Sequence, residues 1–108
     1  MNSDDLLYKI IEFTRKETFS PNILMSRETR LKADLGIDGA DGLEFIVSFS
    51  KQFNVDVSGF KSDKYFDWEG NQFLTVIFGL KNNSLLDITL GDLEKAIVYG
   101  KLDDTVLG

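Results

Sequence analysis

The stretch DLGIDGADGLEFIVSFSKQF, residues 34–53, decides the fold of this chain. A loop punctuated by Gly36 and Gly39 leads into a segment whose apolar residues recur at helical spacing. Asp38 is well suited to cap a helix that starts at residue 39 or 40 and ends at residue 53. The predicted core-facing side chains are Phe45, Ile46, Phe49 and Phe53, with Leu43 and Val47 at the border of the stripe.

The start of this predicted helix is acidic. Asp34, Asp38, Asp41 and Glu44 follow one another with no Lys or Arg among them. Asp41 falls in the first turn, where the helix dipole favours a carboxylate by about 0.3–1 kcal/mol. A capped and solvated helix start explains the cluster on stability grounds alone. A surface that attracts a basic partner is the functional alternative.

Two further helices are predicted, one on each side of this segment. Residues 3–17 carry aliphatic side chains at the spacing of one helix face, and Pro21 disfavours continuation of the helix. Towards the C-terminus, Thr89-x-x-Asp92 is a variant of the capping box and Gly100 is a credible helix stop. The side chains of these helices predicted to pack on the central stripe are Leu7, Ile10, Leu93 and Ile97.

The connection before the central helix and the segment after it carry weaker patterns. Residues 20–38 form a long connection in which Ile23, Leu24 and Leu31 are predicted to pack inward. Residues 54–59 alternate apolar and polar side chains, which is typical of a very short edge strand or an extended turn.

The region before the last helix is rich in aromatic residues. An irregular segment held in place by its rings is predicted over residues 61–70, and its rings are Tyr65, Phe66 and Trp68. Residues 71–81 fit a helical face but also contain residues with strand propensity, and we predict a helix there. The last residues, 103–108, are predicted to be a frayed tail.

Length and composition indicate one acidic domain over residues 1–108. The chain has 43% apolar residues and a net charge of −6, which argues against nucleic acid because a phosphate backbone is bound by Lys and Arg. The absence of Cys excludes disulfides and thiolate sites. The absence of His removes the commonest general base and metal ligand. We therefore expect a protein that is not an enzyme.

The sequence predicts a cytoplasmic protein with no membrane association. The N-terminus lacks a basic region followed by an apolar stretch, so no signal peptide is predicted. The longest apolar candidate, residues 73–80, is far shorter than the roughly 18 residues that span a bilayer.

The loop rich in Asp and Gly does not have the spacing of a known ligand site. An EF-hand loop beginning at Asp34 would have Gly36 at its third position and Phe45 at its twelfth, where oxygen ligands belong. A phosphate loop would need a Lys after the glycines, and the carboxylates would repel an anion. Carboxylates that act as acid and base need burial, whereas a solvated face is predicted here. We expect no metal, no cofactor and no catalytic residue.

Residues 34–41, DLGIDGAD, resemble the acyl carrier protein signature D-L-G-x-D-S-L-D. The resemblance continues through Glu44 and the apolar stripe, and residues 88–93, ITLGDL, are similar to the start of that family's last helix. Residues 55–87 do not match and form an insertion. The overall pattern also looks like an uncharacterised bacterial family of acyl-carrier-like proteins. The fold that this resemblance implies is a mainly α bundle of three to four helices with a short irregular or β-containing insertion.

Gly39 stands where the acyl carrier family has its reactive serine. Carriers attach 4′-phosphopantetheine through that hydroxyl, so the resemblance implies the scaffold and an acidic recognition helix without the cofactor. Ser48 and Ser50 lie further along the helix, outside the motif.

The resemblance implies a non-catalytic adaptor or regulator that binds a basic protein surface, such as that of a biosynthetic enzyme. The predicted partner-binding residues are Asp38, Asp41, Leu43, Glu44 and Val47. Two alternatives remain open. One is an immunity-type inhibitor that neutralises a cationic toxin, and the other is a genuine acyl carrier modified at an atypical serine.

Overall fold

The structure, a computed structural model, describes residues 3–18, 23–66 and 86–107. Within these ranges the chain is mainly α, with isolated β-bridges but no sheet. The elements are α1 (Ser3–Thr18), α2 (Gly39–Phe53), a 3-10 turn (Ser62–Lys64), α3 (Leu90–Tyr99) and a short α4 (Asp104–Leu107). The mainly α fold predicted from the sequence is confirmed.

The ends of α2 are formed by local hydrogen bonds. Asp38 is the N-cap, and its carboxylate accepts a hydrogen bond from the Gly39 N–H at 2.7 Å. At the other end, Asn54 adopts a left-handed backbone conformation (φ 56°), and its N–H donates to the Ser50 carbonyl. The predicted position of this helix is confirmed.

The ends of α3 also agree with the prediction. The Thr89 hydroxyl accepts from the Asp92 N–H, while the Asp92 carboxylate accepts from the Thr89 N–H, which completes a capping box. Gly100 ends the helix with a φ of 79°, in the left-handed region that glycine adopts most readily.

The core lies between the inward faces of α1, α2 and α3. The Phe13 ring of α1 lies 5.3 Å from the Phe45 ring, 6.3 Å from Phe49 and 5.5 Å from Phe53 between centroids. Among the predicted core residues, Ile10, Ile46, Phe49 and Leu93 are buried. Those that pack on the core while only partly buried are Leu7, Phe53 and Ile97.

The connection before α2 is held against the chain that enters α3. The Leu31 N–H donates to the Ile88 carbonyl at 2.8 Å. The Asp87 carboxylate accepts from the backbone N–H groups of Lys32 and Ala33 at 3.0 and 3.1 Å. These long-range hydrogen bonds hold the loop that precedes α2 in place.

The predictions for the connections were only partly right. Leu31 is buried, but Leu24 is 92% exposed and Ile23 is also exposed, so the inward packing predicted for these two is wrong. Residues 54–59 form no strand but contain turns, and Asp56 makes a single parallel bridge to Lys101, which agrees with the alternative prediction of an extended turn.

The aromatic segment is held by its rings, as predicted, over the part that the structure describes. Tyr65 and Phe66 are buried, and the Tyr65 ring stacks on Phe60 with centroids 5.3 Å apart. Trp68 and the helix predicted over residues 71–81 lie outside the described residues.

The frayed tail predicted over residues 103–108 is wrong, because residues 104–107 form α4. Leu102 and Val106 are buried in the core and anchor the segment. The Asp104 carboxylate also pairs with Lys64 at 2.9 Å and Lys61 at 3.3 Å, which ties α4 to the 3-10 turn.

Candidate functional site

Gly39, at the position that resembles the reactive-serine position of the carrier signature, has a conformation that suits glycine. Gly39 is the first residue of α2 and has a φ of 60°. L-residues avoid this region at a cost of roughly 1–2 kcal/mol. A serine there would therefore be strained, in addition to supplying a hydroxyl that the chain lacks.

The four acids around the start of α2 differ in their local roles. The Asp34 carboxylate accepts from the Arg30 backbone N–H at 2.8 Å and from its guanidinium at 3.3 Å, and these bonds hold the pKa of Asp34 below its ordinary value. Asp38 caps the helix. Asp41 and Glu44 are exposed, and neither makes an ion pair or side-chain hydrogen bond within the described part of the chain.

Asp41 and Glu44 line a groove between the end of α1 and the start of α2, which we call the acidic groove. Its cavity volume is about 350 Å³. Glu17, in the last turn of α1, is its third carboxylate. The apolar side chains that line it are Leu35, Ile37 and Phe45, the last two of which are buried.

A second groove lies between α1 and the end of α2. Its volume is larger, about 600 Å³, but its charged side chains are of both signs. They are Lys9, Glu12, Lys16 and Glu17. Because these charges balance, the second groove has no clear preference for a charged partner, whereas the acidic groove does.

A family model described as "Protein of unknown function (DUF1493)" matches residues 4–99. The chain belongs to the DUF1493 family. The match begins in α1 and ends at the last residue of α3, so it spans every residue of the acidic groove. Comparison with curated proteins and with solved structures gives no match. The DUF1493 description assigns no function, and the likeness to acyl carrier proteins rests on the residues quoted above.

Three of the predicted partner-binding residues, Asp38, Leu43 and Val47, do not line the acidic groove of this DUF1493 protein. Val47 is 48% exposed but lies about 120° around the helix axis from Asp41. Leu43 is half-buried and packs against the core. Of the five predicted residues, Asp41 and Glu44 are the ones that line the groove together with Glu17.

Sequence reasoning did not assign a packing role to Gly42. It is buried, and a Cβ placed there would overlap the ring of Phe66, which is 1% exposed. The glycine thus lets this ring lie directly against the first turn of α2. No local pattern connects positions 42 and 66 of the DUF1493 chain, because the contact is made between distant segments.

Two further classes of feature are absent from the described residues. No group of three or more carboxylates among them could hold a metal ion. No helix within the same ranges is long and apolar enough to cross a membrane.

Proposed function

We propose that this DUF1493 protein is a non-catalytic adaptor or regulator that binds a basic surface of a partner protein through the acidic start of α2. The observation that carries the proposal is the state of Asp41 and Glu44, which are exposed and pair with no basic side chain among the described residues. Asp34 and Asp38, in contrast, are engaged locally. Unpaired exposed carboxylates attract a basic partner and accelerate its association.

The acyl-carrier-like scaffold is part of this proposal. Its support is the signature-like stretch at the start of α2, together with the order of the helices and the capping box before α3. A shared scaffold does not by itself specify a function. Gly39 offers no oxygen for a phosphodiester, so we propose an adaptor without phosphopantetheine.

The genuine-carrier alternative needs a different serine. The Ser50 hydroxyl donates to the Val55 carbonyl at 2.6 Å, and Ser48 is half-buried in the middle of α2. Neither side chain has the free position at the start of a helix that the carrier signature provides. The proposal therefore places no prosthetic group on this chain.

The toxin-inhibitor alternative is favoured by the same two carboxylates, because cationic nucleases present basic surfaces to acidic inhibitors. Only the identity of the partner distinguishes an adaptor from a toxin inhibitor. An adaptor is expected to recover a biosynthetic or regulatory enzyme from a lysate, and an immunity-type protein is expected to recover a cationic toxin.

Affinity capture with three matched baits tests the proposal. The baits are the wild-type chain, the Asp41→Lys/Glu44→Lys variant and an Asp5→Lys/Glu28→Lys control, which makes the same change in net charge at exposed acids outside the groove. We expect the wild-type and control baits to retain the same partner and the groove variant to lose it. Equal retention by all three baits would contradict the proposal.

A further inference from the structure

The exposed side of α1 carries four charges of alternating sign, which we call the charged row. They are Asp5, Lys9, Glu12 and Lys16, all of them exposed. Their intervals of four, three and four residues place them in one line along the helix. We infer that the charged row is a contact surface for a second copy of this chain, with the two α1 helices antiparallel. This inference goes beyond the proposed function, because the row contains none of the residues that line the acidic groove.

The order of the signs selects both the partner and its direction. Along α1 the charges are negative, positive, negative and positive, and the inner and outer pairs share one midpoint, between residues 10 and 11. A two-fold axis through that midpoint places Asp5 opposite Lys16 of the second copy and Lys9 opposite Glu12 of the second copy. Each contact then occurs twice, and every charge in the row meets its opposite. A parallel copy in the same register would instead place like charges together.

The outer charges of the row have no partner within the described part of the chain. Asp5 and Lys16 make no ion pair there, although an oppositely charged residue of the row lies one turn away from each. Glu12 pairs with Arg15 at 3.5 Å. Asp5 and Lys16 lie about 16.5 Å apart along the helix, so they cannot meet within one molecule. An antiparallel second copy brings these two charges together.

An exposed aromatic side chain and the second groove lie beside the charged row. Tyr8 is 64% exposed, and tyrosine is enriched in protein interfaces. The second groove is lined by Tyr8 and members of the row together with Phe13 and Phe53. In the antiparallel pair the charges set direction and register, while the aromatic side chains supply apolar area. Exposed ion pairs contribute little and two chains of net charge −6 repel, so the self-association is weak and decreases with added salt.

Sedimentation equilibrium of the full chain at low ionic strength tests the inference with two variants of equal charge. Asp5→Lys/Glu12→Lys and Asp41→Lys/Glu44→Lys each change the net charge from −6 to −2. Reduced general repulsion would strengthen self-association in both. The charged row predicts that the first variant loses at least tenfold in association constant and that the second loses none. Equal constants for the two variants would overturn the inference, as would a wild type that stays monomeric up to about 1 mM.

A mixing experiment tests the complementarity of the row directly. Lys9→Glu/Lys16→Glu makes the row entirely acidic, and Asp5→Lys/Glu12→Lys makes it entirely basic. Each variant alone should be monomeric, and an equimolar mixture should form a one-to-one dimer at least as tight as that of the wild type. Circular dichroism confirms that both variants are helical. Folded variants that fail to pair on mixing would overturn the inference.

The same variants keep this inference separate from the proposed function. Asp41→Lys/Glu44→Lys should lose the captured partner and keep self-association. Asp5→Lys/Glu12→Lys should lose self-association and keep the partner. If capture fails to distinguish the baits, the proposed function fails alone, and if sedimentation fails to distinguish the variants, only the charged row is overturned.

Discussion

At the scale of single residues, two glycines at the start of α2 are required for different physical reasons. Gly39 has a positive φ, so the backbone itself favours glycine. Gly42 has no such requirement, but the Phe66 ring occupies the space that a Cβ would need. Both reasons are invisible in a helix-propensity scale, which would rate either glycine as unfavourable by about 1 kcal/mol.

The conformation of Gly39 leads to a prediction about modification. We expect no mass gain when the wild-type chain is treated with a broad-specificity phosphopantetheinyl transferase and coenzyme A, because residue 39 has no hydroxyl. Gly39→Ser and Gly39→Ala should each lower the free energy of unfolding by roughly 1–2 kcal/mol through the positive φ. Intact-mass and denaturation measurements check both parts. A phosphopantetheine adduct on the unmutated chain would mean that it is a carrier after all.

The contact between Gly42 and Phe66 leads to a second prediction. Gly42→Ala should destabilise the protein by about 1–3 kcal/mol, since the buried ring must move to admit the methyl group. In a Phe66→Ala background the same change should cost little or even stabilise, because alanine is the better helix former. Urea denaturation of the two single variants and the double variant gives the coupling between the sites. Additive effects would show that the ring does not constrain position 42.

At the scale of elements, helices with local signals could be predicted and long-range packing could not. Some features depend only on residues that are close together in the sequence. They are the apolar stripe of α2, its Asp38 cap and the capping box before α3, and each was predicted correctly. By contrast, the position of α4 depends on the packing of Leu102 and Val106 in a core formed with residues from other segments. Four residues carry too weak a helical signal alone, so the tail was predicted to fray.

The inward face of α2 provides the third prediction. Phe49 is fully buried between the Phe13 and Phe53 rings, so Phe49→Ala should lower the free energy of unfolding by about 3–5 kcal/mol. Val47→Ala, on the exposed side of the same helix, should change it by about 0.5 kcal/mol or less. Chemical denaturation followed by circular dichroism measures both. Similar losses in the two variants would mean that the helical phase is wrong.

The attachment of α4 provides the fourth prediction, which concerns acid stability. Bonds from Lys64 and Lys61 hold the pKa of the Asp104 carboxyl below its ordinary value of 3.8. Because the pKa is lower in the folded state, the stabilisation is present above pH 3.8 and is lost as the pH falls below 3.8 through the folded value. We expect the unfolding temperature to drop as the pH falls below about 4, and to drop less in Asp104→Asn.

Asp5→Asn is the control for this measurement, since Asp5 is exposed and makes no ion pair among the described residues. It should leave the slope of unfolding temperature against pH close to that of the wild type. An identical slope in the wild type and in Asp104→Asn would rule out the link between α4 and the 3-10 turn as a source of acid sensitivity.

At the scale of the whole molecule, the fold determines which carboxylates form local bonds and which do not, and the sequence shows only where the acids lie along the chain. The cluster at the start of α2 is evident from the sequence, but its division into engaged and unpaired carboxylates is not. The Asp34 carboxylate is hydrogen-bonded to Arg30. Glu17, at the end of α1, lines the acidic groove together with Asp41 and Glu44. Glu17 was not predicted as a site residue because Asp41 and Glu44, which line the groove with it, are distant from it in the sequence. Its one local signal is an acid at the unfavourable end of a helix.

We propose that Asp41 and Glu44 steer a basic partner onto α2. The most direct test is the association rate constant of the captured partner with the wild type, Asp41→Lys/Glu44→Lys and Asp5→Lys/Glu28→Lys. Asp38 is left unchanged because loss of an N-cap costs about 0.5–2 kcal/mol of stability regardless of any partner. At low ionic strength the rate constant should fall about tenfold or more in the groove variant, with a smaller rise in the dissociation rate constant. The control should stay close to the wild type, and equal association rate constants for all three proteins would contradict the account.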